Sequence, residues 1–220
     1  MHAPSAHAPA PRLTLRRNAV ALSGVGIARE ANEDATGIHL DGDLIALSDG
    51  MGGLDDGEKA SIAAVKAFLR HASLALAVAP AERVFVESFR VAQAAVLAVN
   101  RKCGATLVGA RLEPGSVVVA HVGDSRAYLL RGNLAVRLTT DHAIGHNLTR
   151  CLGAGIDRWE PDVERHETQA GDAVMLCSDG LHGNRGQYGC VDDGMIGQLW
   201  LAADGDMERF ARSAYDCAMN

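Results

Sequence analysis

The sequence predicts an α+β fold, with antiparallel sheets and helices segregated from them, rather than an alternating βαβ array. Three features point to it. Short β-type runs gather in two blocks, within 13–51 and 105–178; two long stretches of helical period, 58–71 and 80–101, stand together between those blocks; and a third helical region, 192–217, follows the last run. Paired helices supply no crossover after each strand, so the strands return by hairpins.

Residues 1–13 are rich in Pro and Ala and lack the apolar core of a secretory signal. They read as a disordered lead-in to a single domain over 14–220. The run 13–25 (LTLRRNAVALSGV) alternates loosely and is expected to be a strand, with Gly24 and Gly26 marking its turn. Its G-x-G does not read as a dinucleotide loop, because no third glycine follows and IAREANEDA offers no apolar helix face. A hairpin is expected over 36–48, turning at Asp41-Gly42, which would bring Glu33 and Asp34 level with Asp49. In 44–53, LIALSDGMGG, an apolar run delivers Asp49 to a turn lined by glycines instead of side chains.

The helix over 58–71 is expected to bury Ile62, Val65, Phe68 and Leu69, with Asp55 and Asp56 at its start, where the dipole favours acids. The next helix, 80–101, is expected to bury Phe85, Phe89, Val96 and Val99, with Pro80 in its first turn. Five β-runs follow, at 105–112, 116–122, 125–131, 134–139 and 172–178, separated by turns at Glu113-Pro-Gly, Arg131-Gly-Asn and Ala170-Gly-Asp. AVMLCSDGL (173–181) repeats the pattern of an apolar run ending in Ser-Asp-Gly. In 192–217, Met195, Ile196, Leu199 and Trp200 form one helical face and Phe210, Ala211 and Ala214 another.

Composition narrows the function. The 220 residues are 48% hydrophobic and 22% charged, enough apolar material for one sizeable core. The net charge of −6 argues against nucleic acid as a partner, because phosphate-backbone affinity needs clustered Lys and Arg. No apolar run is long enough to span a bilayer. The five cysteines (103, 151, 177, 190 and 217) include no C-x-x-C pair and read as reduced, cytoplasmic thiols.

Glu33, Asp34, Asp49, Asp124 and Asp179 each stand at the end of a β-type run or in a glycine turn. Gathered together they would repel one another unless cations intervened. Oxygen donors of this kind select Mg²⁺ or Mn²⁺ over zinc, and the histidines and cysteines show no zinc spacing. Two such ions about 3.5–4 Å apart could activate a water toward a phosphorus atom. Arg29, four residues before Glu33, has the planar fork that fits phosphate oxygens. Ser48, Ser125 and Ser178 adjoin the acids but lie in no G-x-S-x-G elbow, and His39, His142 and His182 read as structural or exposed.

The blocks 29–34 (REANED), 48–53 (SDGMGG) with 57–61 (GEKAS), 104–107 (GATL), 122–126 (VGDSR) and 178–181 (SDGL) closely resemble, in order, those of the PPM/PP2C family of bacterial metal-dependent Ser/Thr protein phosphatases. The resemblance implies a four-layer α/β/β/α sandwich, two antiparallel sheets between helix pairs. It implies that Asp49 bridges two Mn²⁺ or Mg²⁺ ions, that Glu33 and the Gly50 carbonyl hold the second, that Asp179 holds the first, and that Asp124 with Asp179 suits a third, weaker ion. Arg29 would bind the substrate phosphate, and Asp34 would orient water.

Two departures from the family pattern stand out. The stretch between Asp141-His142 and 148–153 is short where bacterial members carry a longer flap. The family's last block, an Asp-Asn pair opening a final strand and giving the first metal another ligand, has no counterpart, and Asp216 lies in helical surroundings. The expected function is hydrolysis of phosphoserine and phosphothreonine in proteins phosphorylated by a bacterial Ser/Thr kinase, by a cytoplasmic monomer without nucleic-acid or membrane partners. A catalytically impaired relative that binds phosphoproteins and a simple acidic cation-binding module are the alternatives.

Overall fold

The computed structural model describes residues 18–25, 31–51, 55–145, 147–183 and 191–219. In chain order the elements are β1 (Asp34–His39), β2 (Leu44–Met51), α1 (Asp55–Ala75), α2 (Ala81–Val99), β3 (Gly104–Ala105), β4 (Leu107–Glu113), β5 (Ser116–Val122), β6 (Arg126–Arg131), β7 (Leu134–Arg137), β8 (Ala143–Ile144), β9 (Asn147–Leu148), β10 (Leu152–Gly153), β11 (Asp162–Glu167), β12 (Ala173–Cys177), α3 (Asp179–His182), α4 (Asp193–Ala203) and α5 (Met207–Ala218).

Every strand pair is antiparallel. The larger sheet runs β10-β3-β2-β4-β5-β11, with β1 also on β2; the smaller runs β12-β6-β7, and β8 and β9 form a separate hairpin. Alternation along the central strands sorts side chains into layers, because successive residues point to opposite faces. Leu44 and Ala46 of β2, Leu107 of β4, and Val118, Ala120 and Val122 of β5 meet Phe68 of α1 and Phe85 and Phe89 of α2. Their alternates Leu47, Val108, Ala110, Val117 and Val119 meet Ala127 of β6 and Val174 and Leu176 of β12. The far side of the smaller sheet, through Tyr128, Leu130 and Ala173, packs on Ile196 and Trp200 of α4 and Phe210 of α5. The layers are therefore helix pair, large sheet, small sheet, helix pair, the α/β/β/α sandwich.

Several expectations change. Pro80 is the N-cap of α2 instead of a first-turn residue. The region 192–217 is two helices, interrupted where Asp204 turns left-handed. Met195 is 41% exposed while Ile196 and Trp200 are buried, so the face α4 presents to the sheet is narrower than the sequence spacing implied. Residues 18–25 carry no strand, and 13–17 lie outside the described residues. Their alternation is loose, and no described strand pairs with them. The strand β11 was not foreseen: it is polar along most of its length and owes its extended form to a six-residue ladder with buried β5.

Candidate active site

The acids meet where β2 leaves the large sheet. The β1–β2 register sets Asp34 opposite Asp49, the alignment the hairpin predicted. On the other side of β2, Thr106 falls between β3 and β4 and takes over the pairing: its N–H donates to the Asp49 carbonyl (2.9 Å), and its Oγ1 accepts from the Asp49 N–H (2.9 Å). The Ser48 hydroxyl donates to the Thr106 carbonyl (2.5 Å), and Ser125 shares a 2.7 Å hydrogen bond with Thr106 Oγ1. Buried Ser48 and Ser125 thus fix the backbone on which Asp49 stands, a structural use of the hydroxyls.

Gly50 continues this junction. Its N–H donates to the Glu33 carbonyl (3.1 Å). A Cβ on Gly50 would run into the Gly57 carbonyl and the Glu33 carbonyl oxygen, and a Cβ on Gly57 would run into Glu33 Oε1. Two glycines therefore let the start of α1 close onto β2 with the Glu33 carboxylate between them. Asp124 arrives on the turn after β5, which Gly123 opens at φ +99°, with its Cα pressed against Thr106 where a side chain would not fit. Asp179 begins α3 after β12. Ser178, the N-cap of α3, makes no side-chain cap bond; its hydroxyl goes instead to Asp34 Oδ2 at 2.7 Å, across 144 residues of sequence.

The electrostatics report the convergence. Burial, then the charges of Asp34 and Asp179, a hydrogen bond shared with Asp179 and the charge of Asp124, hold the Asp49 carboxyl far above the ordinary carboxylate range. Burial and then Asp179 push Asp124 up to about 6. Four of the five acids singled out by sequence thus act on one another directly, and the fifth, Glu33, lies against the adjoining glycines. Arg29 lies outside the described residues.

Neighbouring groups have other duties. Arg126 is gripped by both oxygens of Asp141 (2.6–3.2 Å) and reaches the Tyr128 hydroxyl, which donates to Asp193. His182 is buried beside the Asp124 backbone; burial first, then Arg126, lowers its pKa to about 4. His142 is also buried, as expected of a structural histidine. His39 is half-buried on β1, and Asp216 lies on α5. A cleft of about 910 Å³ lies against β1, β2 and β12, lined by Asp34, Asp49, Ser178 and Asp179 and also by Leu130, Trp200 and Phe210. Thr106 and Gly57 are contributors the sequence did not single out, and Ser178, noted there beside the acids, proves to be the hydrogen-bond partner of Asp34. Each lies within a stretch of the family pattern, Thr106 in 104–107, Gly57 in 57–61 and Ser178 in 178–181.

The sequence model of the family Protein phosphatase 2C matches residues 28–207. A serine/threonine phosphatase stp of Listeria welshimeri is 32% identical, over 71% of this chain and 74% of its own. The serine/threonine protein phosphatase PstP of Mycobacterium tuberculosis is 31% identical, over 77% of this chain and 37% of its own. Among solved structures, the M. tuberculosis phosphatase PstP/Ppp superposes with a TM-score of 0.76 at 25% identity over 90% of both chains. The PstP catalytic domain in complex with two manganese ions gives 0.72 at 26%, over 90% of this chain and 89% of that one.

Proposed function

The chain belongs to the protein phosphatase 2C family and is a metal-dependent serine/threonine protein phosphatase, and on that premise we propose which of its residues carry the reaction. The observation that carries the proposal is the crowd of carboxylates around Asp49. The charges that raise the Asp49 pKa are those of Asp34, Asp179 and Asp124, and an all-oxygen donor set of this kind fits Mn²⁺ or Mg²⁺. Asp49 would face two ions; Glu33 and the Gly50 carbonyl would complete the protein ligands of one and Asp179 those of the other. Asp124 with Asp179 would serve a third, more weakly held. When bound, such ions lower the pKa of water from about 15.7 toward 7 and offset charge on a phosphoryl group.

The chain's own groups do the rest. Asp34, held by the Ser178 hydroxyl, would accept a hydrogen bond from the attacking water and so aim it. Arg29 would grip two phosphate oxygens with its fork, countering the charge that develops on them. Buried Ser48 and Ser125 are engaged with Thr106, which supports direct hydrolysis without a serine phosphoenzyme.

The substrates we assign are proteins phosphorylated on Ser or Thr by a bacterial kinase; the names of the bacterial relatives support this reading. We also read 14–220 as one domain, supported by three hydrophobic clusters stacked layer on layer. A cytoplasmic monomer is the form proposed. The free thiols of buried Cys103, Cys151 and Cys177 support a reducing compartment, and no described helix is long and apolar enough to cross a membrane.

Phosphate release from a phosphothreonine peptide, with and without Mn²⁺, tests the assignment. Metal-stimulated turnover is expected of the wild type, with a loss of roughly 100- to 1,000-fold in Asp49→Asn. Metal binding without turnover in the wild type would instead identify a phosphoprotein-binding relative.

A further inference from the structure

Beside the acids, at the end of β5, lies a group of polar side chains that the proposed chemistry does not use. Register places Asp162 of β11 opposite His121 of β5, two residues before Gly123. His121 and His142 stack with ring centroids 4.5 Å apart and planes 17° from parallel. His142 holds Gly123 at both backbone groups: its N–H donates to the Gly123 carbonyl (3.0 Å), and its Nδ1 accepts from the Gly123 N–H (3.3 Å). A backbone N–H can only donate, so in the neutral ring the proton sits on Nε2, which donates to Asp162 Oδ2 at 2.9 Å. The other Asp162 oxygen takes Arg150 Nη1 at 2.7 Å. The His142 carbonyl in turn accepts from the Thr149 N–H (2.8 Å).

One ligand atom from each of His121, His142 and Asp162 lies within 4.8 Å of the others, which raises the question of a transition-metal site. The geometry answers against it. Ring-nitrogen lone pairs lie in the ring plane, so stacked imidazoles point them side by side instead of at one centre. His142 Nδ1 is taken by Gly123, His121 Nε2 faces the Thr140 carbonyl at 2.9 Å, and Arg150 occupies Asp162. The group is a hydrogen-bonded relay that ends on one residue, Gly123, held at both of its backbone groups and directly preceding Asp124.

We propose that His142, oriented by Asp162 and Arg150, is a positioning residue for Asp124: by clamping Gly123 at its N–H and its carbonyl it sets where the Asp124 carboxylate stands among the acids. Gly123 is the point in the turn that needs such a clamp. Its left-handed φ is open to a glycine but not held by it, since glycine visits many conformations at similar cost. The three-point chain from Arg150 through Asp162 to His142 also ties Arg150 to this turn, so a change at Arg150 is felt at Asp124. The proposal rests on the reading of Asp124 as a ligand for the weaker ion.

The test combines two measurements on the full chain: amide hydrogen exchange at Gly123 without metal, and Mn²⁺ binding by titration calorimetry. In His142→Ala, Gly123 is expected to exchange at least about tenfold faster, and the weakest Mn²⁺ step to lose about tenfold in affinity, the scale on which outer partners act on metal sites. Asp162→Asn should do the same to a smaller degree. The Mn²⁺ concentration for half-activation should rise correspondingly, with kcat at saturating Mn²⁺ within twofold of wild type.

Two further variants separate clamping from packing. Asn places Oδ1 where His carries Nδ1, so His142→Asn should restore protection of Gly123 and most of the affinity, while the larger His142→Gln should not. Rescue by Gln but not Asn would overturn the proposal, as would unchanged Mn²⁺ binding in His142→Ala alongside weakened binding in Asp124→Asn. Unchanged binding in Asp124→Asn itself would remove Asp124 as a ligand and the positioning role with it.

Discussion

A carboxylate that is held protonated by its neighbours is a place where stability has been given up for function. Asp49 is such a residue: burial and three facing acids disfavour its charge, so at neutral pH the metal-free fold must bind a proton there that the unfolded chain does not, which costs stability. Asp49→Asn keeps the shape and is neutral without binding a proton. The metal-free variant is expected to melt above the wild type, by about 2–4 °C for a gain of about 1 kcal/mol in a chain of this size. Adding Mn²⁺ should reverse the order, because only the wild type can convert metal binding into stability, worth about 2.7 kcal/mol at a hundredfold excess over Kd. Scanning calorimetry with and without Mn²⁺ reads both; a metal-free Asn variant no more stable than wild type would show that the acids do not repel as described.

Elements decide which residues can be small. Gly57 lies in the first turn of α1, where replacing glycine by alanine ordinarily stabilises a helix by about 1 kcal/mol. Here the new methyl would meet Glu33 Oε1, the end of a flexible side chain that can swing away. Gly57→Ala should therefore keep or raise the melting temperature and yet lose Mn²⁺ affinity and turnover, a split visible by comparing thermal unfolding with calorimetric titration. A second element-scale contact clips the small sheet together. Arg131 at the end of β6 binds both oxygens of Asp172, next to β12, at 2.8 and 2.7 Å. Although burial raises the Asp172 pKa, the hydrogen bonds from Arg131 and the Gln169 N–H outweigh it and hold the carboxyl below its ordinary value. A depressed acid contributes stability that is complete above the unfolded pKa of about 3.9 and is lost as pH falls through the folded value. Acid unfolding followed by circular dichroism should show Asp172→Asn less stable than wild type at neutral pH, with the difference closing below about pH 4.

On the scale of the whole molecule, the site depends on the large sheet being covered on one face by α1 and α2. Phe68 is central to that: fully buried, it meets Phe85 and Phe89 edge-on at 5.1 and 5.5 Å, and Gly109 of β4 leaves the space its ring fills. Phe68→Ala should cost about 3–5 kcal/mol. At about 2–4 °C per kcal/mol that lowers the melting temperature by roughly 6–20 °C. Val78, which is 87% exposed, should tolerate the same truncation with little effect, and thermal unfolding of the two variants compares them directly.

Much of this architecture was legible in the chain. Helices α1 and α2 and strands β2, β4, β5, β6 and β12 were announced by periodicity, because burying one face imposes a repeat of 3.6 or 2 on the sequence itself. The acids of the site were legible for a related reason: Asp49, Asp124 and Asp179 each follow an apolar run that had to be a strand, and Glu33 and Asp34 stand where the run of β1 begins. What the sequence did not contain was anything settled by a partner elsewhere. The polar strand β11 has no apolar stripe, and only the ladder to β5 makes it extended. Residues 18–25 alternate but have no described neighbour to pair with. Ser178 finds Asp34 across 144 residues, and His142 finds Gly123 and Asp162 only after β5 and β11 align. Local pattern therefore determined which elements form and which ends they carry, since burial writes itself into short-range order. Tertiary structure alone decided which charges crowd together and which hydrogen bonds hold them, since those energies depend on distances that no short stretch of chain encodes.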